Sequence, residues 1–229
     1  MTSELPPVEH QLANYNPPPD TGLALVHVDA RMLVVDKPSG LLSVPGRGER
    51  MHDCMARRVQ AVYPEALIVH RLDLPTSGLL LMARGLDAQR LLSRLFESRQ
   101  VHKRYEAVVS GLLADNAGEV DLPLITDWPN RPRQMVDHER GKRALTRWRV
   151  LARDVTHNRT RVALEPVTGR SHQLRVHMMA LGHPILGDTL YASVRDRDAA
   201  PRLLLHAAEL TLPHPDTGTP LHLSSAVPF

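Results

Sequence analysis

The sequence holds one cysteine, Cys54, and its aromatics amount to only two Trp, four Tyr and two Phe among 229 residues. A single thiol excludes an intrachain disulfide, and Cys54 reads as a small, partly buried hydrophobe. With aromatic content at 3%, the core has to be built from Leu, Val, Ala and Met. A single-strand-binding surface paved with several aromatic platforms does not fit that composition. No apolar run approaches the ~18–20 residues of a membrane span. The N-terminal stretch lacks the apolar segment of a signal peptide, so a reducing cytoplasm is the expected compartment and no membrane partner is expected. Lysine is also scarce: Lys37, Lys103 and Lys142 stand against 25 arginines. The planar fork of arginine donates pairs of bonds to phosphates and base edges, which suits a nucleic-acid partner, although a coding bias toward Arg gives the same composition. The formal net charge of +3 is too mild to decide between them.

Motifs for bound groups are missing as well. There is no Walker loop, no dinucleotide fingerprint and no serine in a nucleophile elbow. Of the 13 histidines, His172 and His177 are five apart and so point from different helix faces, which is not a zinc pair. Neither a cofactor nor a metal is expected.

Residues 1–21 carry Pro6, Pro7, Pro17, Pro18 and Pro19 and read as a loosely packed arm. Beyond it, residues 22–229 suit one domain, or two small ones at most. Leu23–Val28 and Met32–Val35 predict a hairpin, and Leu41–Val44 an extended run. Residues 51–63 predict a helix with Met55, Val59 and Val62 on its apolar face. Leu67–Val69 and Leu79–Ala83 read as strands, the second apolar on both faces and therefore central. Residues 86–99 form the clearest helix, with Ala88, Leu91, Leu92, Leu95 and Phe96 as its stripe. Further strands are expected at 105–109, 120–125, 144–151 and 161–164, a helix at 171–181, and a late strand within 203–212. Thr146, Trp148 and Val150 alternate with Leu145, Arg147 and Arg149, which gives that strand a basic outer face. Strands outnumber helices and do not alternate with them, so the fold class is α+β, with a central, mostly antiparallel sheet and a few flanking helices.

Two segments offer chemistry. The first is His70-Arg-Leu-Asp-Leu-Pro-Thr-Ser-Gly78, a polar stretch between apolar strands. It places the carboxylate of Asp73 where an unpaired charge would be expensive. Arg71, two residues away, shares its face in an extended chain. The same spacing suits a turn carboxylate that merely caps the loop or binds Arg71. The second is Gly169-Arg-Ser-His-Gln-Leu-Arg175, with Ser171 as candidate N-cap and Arg175 one turn inside, aimed at a phosphate or a carboxylate. A basic helix facing solvent has the same pattern.

Together these segments resemble the signatures of the RluA-type pseudouridine synthases. His70–Leu81 is similar to the family's catalytic signature, Val34–Leu42 to its first motif, Lys103-Arg-Tyr105 to its second and Pro166–His177 to its third. Gly182–Asp188 and Leu203–Ala207 also match, in the same order. Asn14–Pro17 and Asp127–Pro132 resemble the short single-domain branch, whose members act on ribosomal RNA and transfer RNA. The resemblance implies a sheet crossed by a catalytic cleft. It implies conversion of uridine to pseudouridine without a cofactor, with the base flipped out of its stack. Asp73 would be the essential carboxylate, attacking C1′ or removing a sugar proton. Tyr105 would pack against the target base, and Arg175 would pair with Asp73. RNA or substrate contacts fall to Arg71, Leu72, Thr76, Arg170, His172 and Gln173, with Arg71 filling the space the base leaves. The basic stretch 131–149, through Arg133 and Arg143 above all, is expected to track phosphates. Many relatives carry an N-terminal RNA-binding domain of the S4 type; the ~20 residues before the first strand are too few for one. A monomer is the default expectation. Two rivals share the residues: a nucleoside hydrolase, which needs a second acid such as Asp188 or Glu165, and an RNA-binding module without activity.

Overall fold

The strand at the centre of the first half of the chain is the one whose sequence alternates least. In the computed structural model, which describes residues 15–229, β4 (Ser77–Arg84) is buried along nearly all its length. It pairs antiparallel with β2 (Met32–Lys37), Val34 opposite Leu81, and β2 in turn with β1 (Leu25–Val28). On its other side β4 meets β3 (Ala66–Ile68) antiparallel and β11 (Leu205–Pro213) parallel, with β12 (Pro220–Ser224) beyond. A strand with neighbours on both edges needs apolar residues on both faces, which is why Leu79–Ala83 shows no period of two. The carboxylate of Asp29 turns the β1–β2 hairpin by accepting the N–H groups of Arg31 and Met32 at 2.7 and 2.9 Å.

Helices α1 (Met55–Val62) and α2 (Leu86–Glu97) belong to this first unit, residues 15–103 and 206–228. Its core joins Met32, Val34, Leu79, Leu81, Ala88, Leu92 and Leu210. Each such buried Leu contributes about 1.5–3 kcal/mol of burial.

The second unit, residues 104–205 with Phe229, is built on an antiparallel sheet in the order β5-β10-β9-β6. These are β5 (His102–Ser110), β6 (Ala117–Asp121), β9 (Leu145–Asp154) and β10 (Arg159–Pro166). A separate hairpin, β7 (Leu124–Thr126) with β8 (Gln134–Val136), and helices α3 (Gln173–Ala180) and α4 (Val194–Asp198) complete it. Ala107, Val109, Val162, Leu164, Leu174 and Ile185 lie in its core. The fold is α+β with a central mixed sheet, antiparallel in every pairing described above except β4 with β11.

Several details differ from the sequence reading. Residues 41–44 form no strand; the carbonyls of Leu42 and Ser43 instead accept the first helical N–H groups of α1, from Met55 and Ala56. Val62 is 60% exposed, because α1 ends there and its last turn leaves the core. The strand expected over 120–125 is two, since Pro123 has no N–H to continue the ladder. The short β8, β12 and α4 had no expectation attached to them.

Of the proline-rich arm, residues 15–21 are described and carry no helix or strand. They are tied down rather than loose. The Tyr15 hydroxyl donates to the Asp53 carbonyl at 2.8 Å and accepts from Leu42 N–H at 3.1 Å, and Arg58 donates to the Pro18 carbonyl at 2.6 Å. Residues 1–14 lie outside the described part.

One glycine is decisive for the site. Gly78 has φ +109°, and a Cβ there would lie 2.4 Å from the Ala207 carbonyl oxygen and 2.6 Å from its nitrogen. Gly78→Ala is therefore expected to cost roughly 2–5 kcal/mol, by left-handed strain and by prising β11 from β4. Urea denaturation measures it; a loss under about 1 kcal/mol would mean that the two strands can part freely.

Candidate active site

Asp73 lies on the loop from β3 to β4, and the loop is clamped along its length. The Ser43 hydroxyl donates to the Leu72 carbonyl at 2.7 Å and accepts the Leu72 N–H at 3.0 Å. The Ser39 hydroxyl donates to the Pro75 carbonyl at 2.7 Å. The buried ammonium of Lys37 donates to the carbonyls of Leu41, Pro38 and Leu74 at 2.7, 2.9 and 3.3 Å. A buried ammonium is tolerated because three carbonyl dipoles replace its water. Inside the loop, Thr76 N–H donates to the Asp73 carbonyl at 3.1 Å and closes a tight turn. The stretches Val34–Leu42 and His70–Leu81 are thus one construction: the first is the cradle of the second.

The far end of the loop is held by a buried relay. The Ser77 hydroxyl is 2.8 Å from His206 Nδ1, His206 Nε2 is 3.0 Å from the Ser225 hydroxyl, and Ser225 donates to Asp36. Asp73 itself is half-buried, on the loop that these bonds hold.

His70 opens the segment. Its Nε2 accepts Leu81 N–H at 2.9 Å, which puts the ring proton on Nδ1, and its ring lies 4.9 Å from Phe96. Burial, with the Lys103 charge adding to it, pushes His70 down to about 3. Burial also lowers Lys103, whose ammonium stands 5.8 Å from the Phe96 ring centre. Between the ordinary value of 6.5 and about 3 the unfolded chain binds a proton at His70 that the folded chain does not. Stability must then fall with falling pH across that window, by at most about 1.4 kcal/mol per pH unit from this residue. His70→Gln should flatten the profile between pH 4 and 6 in urea titrations; an unchanged slope would show that His70 titrates normally.

In the second unit, Tyr105 stands on β5 opposite Leu164 of β10, half-buried against the core. Arg175 is 1% exposed on α3. Its Nε and Nη2 donate to the two oxygens of Asp188 at 2.7 Å each, a bidentate pair. Asp188 Oδ1 also accepts the N–H groups of Leu190 and Tyr191 at 2.9 and 3.1 Å. Burial pushes the Asp188 carboxyl up, but the Arg175 charge and these bonds outweigh it and hold the group below its ordinary value. The Tyr191 ring lies 5.1 Å from the Arg175 guanidinium. The Tyr191 hydroxyl accepts Gln134 N–H at 2.7 Å and is 2.7 Å from His172 Nδ1.

Some expected contacts are realised differently. Arg71 is exposed and, among the described residues, has no hydrogen-bond or ion-pair partner, so it does not buttress Asp73. Leu72 and Thr76 are buried, and the bonds they show are within the protein. Gln173 is not a surface contact. It is 3% exposed and its amide is spent: Oε1 accepts from Thr168 and from Arg170 N–H, while Nε2 donates to Leu145 and Thr146. Ser171 does not cap α3; His172 takes that position with φ 55°. Arg170 is exposed and donates to the Arg143 carbonyl at 3.1 Å. The basic stretch divides. Arg143 and Arg147 are exposed, beside Asp121 and Glu119, whereas Arg133 is 7% exposed, too buried to follow a phosphate backbone. Asp188 and Tyr191 as supports of Arg175, and Lys37 and Ser43 as clamps of the Asp73 loop, were not foreseen. The only signal was their position inside or beside matched motifs. Among the described residues no cluster of His, Cys, Asp and Glu could hold a metal, and no helix is long and apolar enough to cross a membrane.

The structure thus holds a carboxylate on a clamped loop and, in the second unit, an arginine locked by a second carboxylate. The chain matches the family of RNA pseudouridylate synthases over residues 31–180, and it belongs to that family. Among individual relatives, the dual-specificity RNA pseudouridine synthase RluA of Escherichia coli (strain K12) is 51% identical over 218 residues, 95% of this chain and 99% of that protein. The protein of the same name from Haemophilus influenzae is 49% identical over the same shares. The solved structure of human RNA pseudouridylate synthase domain containing 1 superposes with a TM-score of 0.78 at 29% identity, covering 93% of this chain and 87% of that one.

Proposed function

We propose that the protein converts specific uridines to pseudouridine in structured RNA, in ribosomal RNA and in the anticodon stem-loop of transfer RNA. The observation that carries the reading is Asp73 on its clamped loop, within a chain that is 51% identical along almost its whole length to a dual-specificity RNA pseudouridine synthase. The reaction breaks the bond from N1 to C1′, turns the base, and joins C5 to C1′. Asp73 supplies the carboxylate for the first step, by attack on C1′ or by removal of a sugar proton. Arg175 acts as a further catalytic group, and Tyr105 holds the detached base. The exposed Arg71 enters the stack that the flipped base has left. Residues 22–229 act as the catalytic domain, with residues 1–21 as an arm, and the protein works as a cytoplasmic monomer.

A hydrolase would need a proton donor. Asp188 is unsuited to that role, since its carboxyl is held ionised and both oxygens are bonded. Digestion of treated RNA to nucleosides separates the readings. Loss of uridine should be matched by gain of pseudouridine, with no free uracil; release of uracil would instead mark a hydrolase.

A further inference from the structure

Trp128 is 65% exposed, while every other described aromatic side chain is buried or half-buried. It stands at the tip of the β7–β8 hairpin, in a connection that is bonded throughout. Asp127 N–H donates to the Arg133 carbonyl at 3.0 Å, Asn130 N–H to the Asp127 carbonyl at 3.1 Å, and Arg133 N–H to the Asn130 carbonyl at 3.0 Å. The Asn130 amide adds a bond to the Asp127 carboxylate at 2.9 Å. Pro129 and Pro132 fix two more backbone angles. The backbone that carries the indole is therefore held in place. The guanidinium of Arg131 lies 4.5 Å from the indole centre and, among the described residues, forms no ion pair. At the base of the same hairpin, Gln134 N–H is bonded to the Tyr191 hydroxyl, and the Tyr191 ring faces Arg175. The tip is thus held in register with the arginine of the proposed site.

A chain with so few aromatics gains nothing for its own stability by holding an indole in water. The indole offers a flat apolar face, and the guanidinium a positive charge beside it. An unpaired nucleotide presents the complement, a π-face and a phosphate. We infer that Trp128 and Arg131 form a stacking platform for one unpaired base of the RNA substrate, away from the base that reacts. The inference rests on the RNA-modification reading above.

The test compares wild type, Trp128→Phe and Trp128→Ala on an anticodon stem-loop and on the same RNA with a single abasic site moved through the loop. Trp128→Ala should raise KM about 5- to 150-fold, the range that base stacking supplies, with kcat within about twofold. Trp128→Phe should fall between. One abasic position should raise the KM of wild type and add nothing further in Trp128→Ala, the sign of direct coupling. Because Trp148 is buried, RNA should quench the fluorescence of wild type far more than that of Trp128→Ala. A KM for Trp128→Ala within about twofold of wild type, or abasic penalties that are the same in both proteins, overturns the platform. Absence of turnover by wild type on the intact stem-loop and on ribosomal RNA would instead overturn the reading on which it rests.

Discussion

Asp73→Asn should lower turnover by more than about 10⁴-fold, because an amide keeps the shape and loses the negative charge that either route requires. The frame makes the experiment clean. The Asp73 turn is held by backbone bonds from Thr76, by Ser39 and Ser43, and by Lys37, and none of these contacts uses the Asp73 side chain. Melting curves of both proteins, recorded beside the kinetics, separate lost chemistry from lost fold. Single-turnover kinetics with saturating enzyme measure the effect on chemistry alone. Residual activity above about one part in a hundred would place the essential carboxylate elsewhere.

The second large effect is expected at Asp188. Arg175 and Asp188 are both almost inaccessible to solvent, and their pair is bidentate. Removing one partner leaves the other charge buried, so Asp188→Asn should cost about 3–5 kcal/mol of stability. A loosened guanidinium should also lower kcat by about 10²-fold, with little change in KM. The pH dependence has a definite sign. Asp188 is held below its ordinary value of 3.8, so its contribution is complete above that value and is lost as pH falls through the folded one. The stability gap between wild type and Asp188→Asn should be full at neutral pH and narrow only in acid. Asp188→Glu keeps the charge but is one methylene too long for the two parallel bonds; it should recover part of the stability and less of the rate. Denaturation curves that match wild type at pH 7 would show that the pair contributes no more than a surface contact.

How much of this was legible beforehand depended on the range of the interactions. The central strand was readable because Leu79–Ala83 is apolar on both faces, and α2 because its stripe recurs every three or four residues. Asp73 stood out because a carboxylate between apolar runs violates the local pattern. What failed to show were interactions across long stretches of sequence. Ser43 and Leu72 are 29 positions apart, and Ser77 and His206 are 129 apart. No spacing rule reports such a bond. The burial of Gln173 and Arg133 was hidden for a related reason: polar side chains look alike in sequence whether they face solvent or satisfy buried groups, and only the fold tells which. The αL conformation of His172 likewise displaced the cap assigned to Ser171. Short elements such as β8 and β12 escaped notice because three to five residues hold too little periodicity.

The central claim is that this protein isomerises uridine in RNA and that Asp73 carries the reaction. The most direct measurement is release of tritium from C5 of uridine in labelled transfer RNA and ribosomal RNA, with wild type beside Asp73→Asn. Release by wild type alone, one tritium per pseudouridine formed and no uracil set free, is the result expected. Equal release by Asp73→Asn, or no release from either RNA by wild type that binds both, would contradict it.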